Sequence, residues 1–316
     1  MRRLIVRRLV AMVPIVLITT VLAFALILLL PGDPALMMLG DQNASNTEAY
    51  RALRAQLGLD KPIPLQYLDW VGRALHGDFG VSLRDGLPIG VELANHAVPT
   101  LELAVLAMLL ALALGVVAGT VSALRPNSAA DVVATMVAFS GLAVPHFFLG
   151  ILLIYAFSLW LHVVPPSGYV APWEDLGQNL RLMVLPVVTL GLGIAAVLTR
   201  QIRSALLEVL QQEYVQTARA KGLKETRVVM GHAFKNALIP ISTVVGLQIG
   251  TLIGGAVITE TIFSIPGMGR MIVDSIFFRD FPTVQAAVLV LALVVLLANL
   301  ATDVVYGLAD PRIRYE

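Results

Sequence analysis

Six apolar windows constrain this 316-residue chain more than any other feature of its sequence. Each is about as long as the ~20 residues that a helix needs to cross ~30 Å of hydrocarbon. A soluble domain could not solvate such a surface, because 58% of the residues are hydrophobic and only 14% are charged. The sequence therefore predicts an all-α integral membrane protein whose six transmembrane helices cover residues 9–30, 98–124, 132–158, 182–199, 237–259 and 281–302.

The distribution of Lys and Arg predicts how these spans are oriented. Four segments fall on one side of the membrane and together hold fourteen Lys and Arg: residues 1–8, 125–131, 200–236 and 303–316. The short loops on the other side, 159–181 and 260–280, hold three. Cytoplasmic loops carry the excess of basic residues, and the longer outer segment 31–97 is left out because long translocated domains escape this rule. Both termini are therefore expected in the cytoplasm.

The first window is expected to be retained as a span. It follows four arginines (Arg2, Arg3, Arg7 and Arg8), exceeds the apolar length of a secretory signal, and lacks a small-x-small cleavage pattern before Pro31.

Several absences limit the chemistry of the chain. It has no cysteine, which excludes disulfides and thiolate metal sites. None of its four lysines follows a glycine, so the G-x-x-x-x-G-K-[ST] phosphate cradle is absent. The five histidines are scattered and no HExxH pattern occurs. We predict no catalytic residue, no metal and no cofactor in this chain, and the net charge of +1 gives no sign of a nucleic-acid partner.

The outer segment 31–97 contains two predicted short helices. One covers residues 46–57, and the other begins near Leu65, because the prolines in residues 60–64 favour extended backbone before them. Leu65, Leu68, Val71 and Leu75 recur at helical spacing and predict one apolar stripe. The segment is either a structural lid on its own spans or a docking surface for a soluble partner.

No Asp, Glu, Lys or Arg lies near the centre of a span. Ion-coupled transporters usually carry such groups at membrane depth, so we expect the energy for transport to come from another subunit. His146, Gln248 and Asn299 are candidate residues of a translocation path. The alternative for each is packing, because polar groups in hydrocarbon also pair with neighbouring helices.

Small residues recur on the fifth span at Gly246, Gly250 and Gly254, which share one helix face. Gly115 and Gly119 repeat this spacing in the second span. Small residues let helices approach closely in lipid, so each face is predicted to pack within the chain or against a second membrane subunit.

The inner loop 200–236 is too polar to insert in the membrane. Its helix-forming content and the break at Gly222 predict two short helices that meet at a sharp turn. The basic residues Arg219, Lys221, Lys224 and Arg227 could contact a partner, follow the positive-inside rule or touch anionic lipid.

The segment ARAKGL followed by NALIP resembles the loop motif of binding-protein-dependent ABC importer permeases, written E-A-A-x3-G-x9-I-x-L-P. Gly222 marks its glycine, and only Ala218 matches the E-A-A positions. The 18 residues from Gly222 to Pro240 exceed the general spacing and resemble the dipeptide and oligopeptide branch. Further motifs of that branch are LPGDPA at 30–35, LGLDKPIPLQY at 57–67, GDFGVSL at 77–83, PTLELA at 99–104, ETIFSIPGMG at 260–269 and DPRIR at 310–314.

This resemblance implies a type I ABC importer permease in the bacterial cytoplasmic membrane. The implied partners are a second homologous permease, two cytoplasmic ATPases that bind ATP and Mg²⁺, an extracytoplasmic substrate-binding protein, a peptide substrate and membrane lipid. Ala218 and Gly222 would hold the turn of the coupling segment, and Arg219, Lys221, Leu223 and Lys224 would contact an ATPase.

Other readings remain open at this point. A permease of the same family for a nickel chelate, glutathione or another peptide-like solute would share these motifs. An ion-coupled secondary transporter would move substrate alone, and a channel is disfavoured because no charged ring or selectivity-loop pattern occurs.

Overall fold

A computed structural model of the chain describes residues 2–29, 35, 47–56 and 58–309. These ranges are helical almost throughout, and their only β pairing is a single bridge between Val81 and Pro88. Some of the sequence predictions fall outside the described residues. These are the DPRIR motif, most of LPGDPA and the predicted helix ends at 46 and 57. The helices are α1 (Arg2–Leu29), α2 (Thr47–Gln56), α3 (Ile63–Leu75), α4 (Ile89–Leu124), α5 (Ala129–Ala143), α6 (His146–Leu153), α7 (Leu176–Leu210), α8 (Glu213–Ala220), α9 (Phe234–Phe263), α10 (Met268–Phe277) and α11 (Phe281–Ala309).

Five described helices are long and apolar enough to cross a membrane: α1, α4, α7, α9 and α11. Two of them extend well beyond the predicted spans, since α4 has 36 residues and α7 has 35. At ~1.5 Å per residue, α7 is about 52 Å long, whereas hydrocarbon is ~30 Å thick. Part of α7 therefore extends beyond the hydrocarbon of the membrane.

The predicted third span, 132–158, is a bent pair of helices. Residues 129–141 and 146–160 meet at an angle of 102°. Pro145 causes the break, because a proline disfavours helical backbone in the residue before it, and Val144 is extended with φ −85° and ψ 121°. Beyond α6 the chain continues as a π-helix, Ile154–Trp160. The pair supplies a sixth span if its two pieces cross the membrane together.

Helix α7 lies at the centre of the core and packs along α4. Gly115 and Gly119 make this approach possible: a Cβ at Gly115 would lie 2.7 Å from the Leu198 Cβ, and one at Gly119 would lie 2.8 Å from the Thr199 carbonyl oxygen. Such backbone contact is typical of helices that associate in lipid. These two glycines of the second span pack within the chain.

The outer helix α3 packs against α1 and α11 and so forms a lid on the chain's own spans. Its Tyr67 and Trp70 rings lie 5.6 Å and 6.1 Å from the Phe24 ring, and the hydroxyls of Tyr67 and Thr20 are 2.8 Å apart. The predicted stripe is largely wrong, because the buried face carries Tyr67, Trp70 and Val71, and the leucines of that stripe, Leu65, Leu68 and Leu75, are exposed.

Helix α3 also begins earlier than the prolines suggest. Its first residue is Ile63 and Pro64 lies within its first turn. Proline is tolerated there because the N–H groups of a first turn have no partner within the helix.

Candidate coupling site

Helix α8 ends in a turn that requires left-handed backbone at Gly222, where φ is +74°. The Gly222 N–H donates to the Arg219 carbonyl at 2.9 Å, and the Leu223 N–H donates to the Ala218 carbonyl at 3.4 Å. These two bonds form a Schellman helix end, which usually has glycine at this position. A Cβ at Gly222 would meet no atom within 4 Å. Backbone conformation, and not crowding, therefore favours glycine here.

One face of α8 is fixed to the end of α7. Val215 and Ala218 are buried with Val228, and they pack against Val209 and Leu210 of α7. Burial of this apolar cluster removes the side chains from water and holds α8 on the longer helix. The apolar cluster therefore holds α8 and the end of α7 together.

The opposite face of α8 and the turn after it are accessible. Arg219, Lys221 and Lys224 are exposed, and so is the ring of Tyr214. Leu223, which was expected to contact a partner, is half-buried in the cluster of Val215 and Ala218. The exposed face of α8 and the turn after it therefore form a cationic surface with one aromatic ring, and the apolar cluster on the other face of α8 holds this surface in place.

Arg219 bridges the turn to Glu225. Its Nη2 lies 2.6 Å from the Glu225 Oε1, and its Nε lies 3.2 Å from Oε2. These hydrogen bonds lower the pKa of the Glu225 carboxyl. Both side chains are exposed, so the pair adds little stability and mainly orients the guanidinium. The ammonium groups of Lys221 and Lys224 form no ion pair with a described residue.

The chain returns to the membrane through one short helix, Glu225–Arg227, and a π-helix, Val228–Ala233, that leads directly into α9. Val228, Val229 and Ala233 are buried. Pro240, the last residue of the loop motif, lies inside α9, where it removes one helical hydrogen bond. The whole stretch from 213 to 240 is therefore helical apart from the turn at 221–224.

A half-buried ion pair between α5 and α7 supports α7 near the coupling site. The Arg203 Nε and Nη2 each lie 2.8 Å from an oxygen of Asp131. The Ser122 hydroxyl and the Asn127 N–H also donate to this carboxylate. The pair joins the first turn of α5 to α7. Sequence reasoning missed it, because the N-cap pattern of Ser128 and Asp131 is local and does not reveal a partner 72 residues away.

A second missed residue is Glu260, at the opposite end of the molecule. Its carboxylate is fully buried and accepts hydrogen bonds from the Thr100 hydroxyl at 2.6 Å and the Arg270 N–H at 2.9 Å. It lies at the first turn of α10, whose N–H groups have no partner within the helix. Thr100 also accepts the Met268 N–H, so Glu260 joins α9, α10 and α4.

The three candidate path residues lie on three helices. His146 begins α6, is half-buried, and its ring contacts Gly193 of α7. Gln248 is half-buried on α9 and Asn299 is exposed on α11. No hydrogen bond within the described part of the chain joins these side chains. Their place in a translocation path remains a prediction.

The glycines of the fifth span do not share one role. A Cβ at Gly246 would lie 2.8 Å from Thr302 of α11, so this glycine packs within the chain. Gly250 and Gly254 have no atom within 4 Å of that position. Their face of α9 is open in the single chain, and its contact with a second permease remains a prediction.

The described residues contain no group of three His, Cys, Asp or Glu side chains placed to hold a metal ion.

Comparison with known families matches two profiles that together cover most of the chain. Residues 93–315 match "Binding-protein-dependent transport system inner membrane component", and residues 1–85 match the N-terminal segment of the same type of membrane component.

Several curated proteins are similar over the full length. The dipeptide transport system permease protein DppB of Escherichia coli K12 is 40% identical, with all of both chains covered. The di/tripeptide permease DppB of Pseudomonas aeruginosa UCBPP-PA14 is 42% identical, covering 99% of this chain and 98% of that protein. The glutathione permease GsiC of Escherichia coli K12 is 39% identical, covering 99% of each.

Solved structures give the same fold. Two inward-facing structures of the MetNI methionine ABC transporter match 69% of this chain and 96% of theirs, with TM-scores of 0.56 and 0.58 at 19% and 16% identity. At these identities the likeness concerns the fold alone, which is that of a type I ABC importer permease.

Proposed function

Because this chain belongs to the family of binding-protein-dependent transport system inner membrane components, the permease subunits of ATP-driven ABC importers, we propose that its substrates are short peptides. The observation that carries this proposal is the full-length similarity to a dipeptide permease at 40% identity and a di/tripeptide permease at 42%. The chain is a multi-pass protein of the inner membrane. It acts as a passage for substrate and performs no covalent chemistry.

The proposed assembly has five parts. A second homologous permease lies beside this chain, and two cytoplasmic ATPases supply ATP and Mg²⁺ chemistry. A substrate-binding protein delivers peptide to the outer side. The absence of a phosphate cradle from the sequence supports ATP hydrolysis on separate chains. Both termini and α8 lie on the cytoplasmic side, in keeping with the distribution of Lys and Arg.

In this assembly the exposed face of α8 occupies a cleft on one ATPase. Closure of the ATPases on ATP displaces α8, and α7 moves with it through the cluster of Val215, Ala218 and Leu210. The Asp131–Arg203 pair links α7 to α5, and the contacts of Gly115 and Gly119 link α7 to α4, so both helices follow the displacement. At the outer end, the Glu260 network keeps the α9–α10 corner on α4. Packed helices then move as units, so the spans reorient between inward-open and outward-open states.

Glutathione is a second candidate substrate. The glutathione permease GsiC is 39% identical over nearly the full length, close to the values for the peptide permeases. Glutathione is itself peptide-like, so a path for short peptides would admit it.

The test is ATP-driven uptake into proteoliposomes. Labelled dipeptides, longer peptides and glutathione are offered to the complete assembly of this chain with its second permease, ATPases and binding protein. Uptake of dipeptides by the full assembly alone, with no uptake when ATP or either permease is omitted, is the expected result. Preference for glutathione would replace the peptide assignment, and gradient-driven uptake by the lone chain would overturn the ATP-driven mechanism.

A further inference from the structure

An apolar groove of about 570 Å³ lies between α4, α5 and α7. Its volume is in the usual range for small-molecule sites. Val117, Met136 and Val137 on its walls are each more than half exposed, so the groove is part of the chain's outer surface. Its further lining includes Leu114, Ala118, Ala134, Leu192, Ala195 and Ala196.

A second, smaller cavity of about 270 Å³ adjoins this groove and carries charge. The two cavities share Ala138, Ala196 and Thr199, and the smaller one adds Arg200 and Arg203. Arg203 is bound to Asp131, whereas Arg200 is exposed and forms no ion pair with a described residue. The apolar groove therefore ends beside the Arg200 guanidinium, which has no acidic partner among the described residues.

Thr199 provides an independent indication of a ligand. The residue is only 7% exposed, lines both cavities, and its hydroxyl makes no hydrogen bond with a described residue. Threonines in helices usually donate to the preceding turn, as Thr189 of the same helix does to the Leu185 carbonyl at 2.7 Å. The Thr199 hydroxyl lines the cavity wall without a partner among the described residues, so it is available to an acceptor that enters the cavity.

We propose that this site binds an anionic phospholipid. One acyl chain lies in the α4–α5–α7 groove, and the phosphate accepts hydrogen bonds from the Arg200 guanidinium and the Thr199 hydroxyl. A peptide fits the groove poorly, because its N–H and C=O groups would be buried against apolar walls. Arg200 follows the predicted span 182–199 directly, which places it at the level of the headgroups of the cytoplasmic leaflet, where anionic lipids are found.

The headgroup is tested by native mass spectrometry of the delipidated, assembled transporter. The protein is titrated with phosphatidylglycerol or with phosphatidylcholine of the same chains. Arg200→Gln is expected to weaken phosphatidylglycerol binding about fivefold, the factor that corresponds to the ~1 kcal/mol of one basic residue near an anionic lipid. The matched control is Arg181→Gln, the same change at the other end of α7, which is expected to leave binding unchanged.

The groove and the hydroxyl are tested separately. Val137→Trp places an indole in the groove from an exposed position and is expected to abolish tight binding of both lipids. Thr199→Val removes a donor to the phosphate, which both lipids carry, so it is expected to weaken the binding of phosphatidylglycerol and of phosphatidylcholine alike. Equal losses in Arg200→Gln and Arg181→Gln, unchanged binding in Val137→Trp, or displacement of the lipid by inorganic phosphate would each overturn the proposal. These measurements require no transport, so they stand apart from the proposed function.

Discussion

At the scale of single residues, Gly222 controls the shape of the coupling site. We expect Gly222→Asp to bind the ATPases poorly or to uncouple hydrolysis from transport. The substitution adds a side chain where φ is +74° and a negative charge among Arg219, Lys221 and Lys224. Left-handed backbone costs most residues other than glycine roughly 1–2 kcal/mol, but Asp and Asn tolerate it, so the added charge is the main effect of this substitution. The measurements are co-purification of the ATPases and peptide uptake.

Two controls isolate the effect of the added charge at this turn. Gly222→Asn has the same shape without the charge and suits left-handed backbone, so it should retain more activity than Gly222→Asp. Gly231→Asp adds the same charge to the same loop at an exposed position without a positive φ. It should leave ATPase binding near normal. Normal uptake by Gly222→Asp would remove Gly222 from the coupling site.

Asp131 is the residue whose loss should most weaken the support of α7. Asp131→Asn removes the charge that binds Arg203 and leaves the guanidinium, which is 30% exposed, with a weaker acceptor. Hydrogen bonds to charged groups contribute about 1.5–3 kcal/mol each, so we expect a clear fall in the thermal unfolding midpoint. Asp69→Asn, at the exposed pair with Lys61, is the control and should change stability by about 0–1 kcal/mol. Equal shifts in the two variants would contradict a supporting role for Asp131.

At the scale of helices, the glycines distinguish contacts within the chain from open faces. Gly119→Ala forces a methyl group to within 2.8 Å of the Thr199 carbonyl, and overpacking of this kind costs about 1–3 kcal/mol. Gly250→Ala meets no atom within 4 Å and should leave the purified chain equally stable or slightly more so. Thermal unfolding of the two variants in the same detergent checks this difference.

The same face of α9 is open to a second permease. Gly250→Leu should leave the lone chain intact and reduce its co-purification with the partner permease, because close helix approach in lipid depends on small residues. Unchanged co-purification would show that Gly250 faces lipid or the substrate path instead.

The sequence predicts the helices well where one local signal decides and less well where tertiary packing decides. The turn at Gly222 follows from the glycine itself, and both outer helices lie near their predicted positions. The apolar stripe of α3 was misassigned because both faces carry large apolar residues, and only contact with Phe24 selects Trp70. The ion pair between Asp131 and Arg203 depends on α4, α5 and α7 meeting, which no local pattern reveals.

At the scale of the whole molecule, the absence of cysteine makes the predicted orientation directly testable. A single cysteine can be placed at Thr217 in the coupling site or at Glu174 in the loop before α7, both of which are exposed. In intact cells with the outer barrier opened, a membrane-impermeant maleimide should label Glu174→Cys and spare Thr217→Cys until the membrane is lysed. The reverse pattern would invert the topology and remove α8 from contact with cytoplasmic ATPases.

The length of α7 has an electrostatic consequence for assembly. From Arg200, at the predicted membrane boundary, to Leu210, the helix rises about 15 Å along its axis. At physiological ionic strength the Debye length is about 8 Å, so the surface potential of the leaflet has largely decayed where α8 begins. An ATPase that docks on α8 should therefore associate at a rate set by its own charges and those of Lys221 and Lys224, nearly independent of the anionic lipid content of the bilayer.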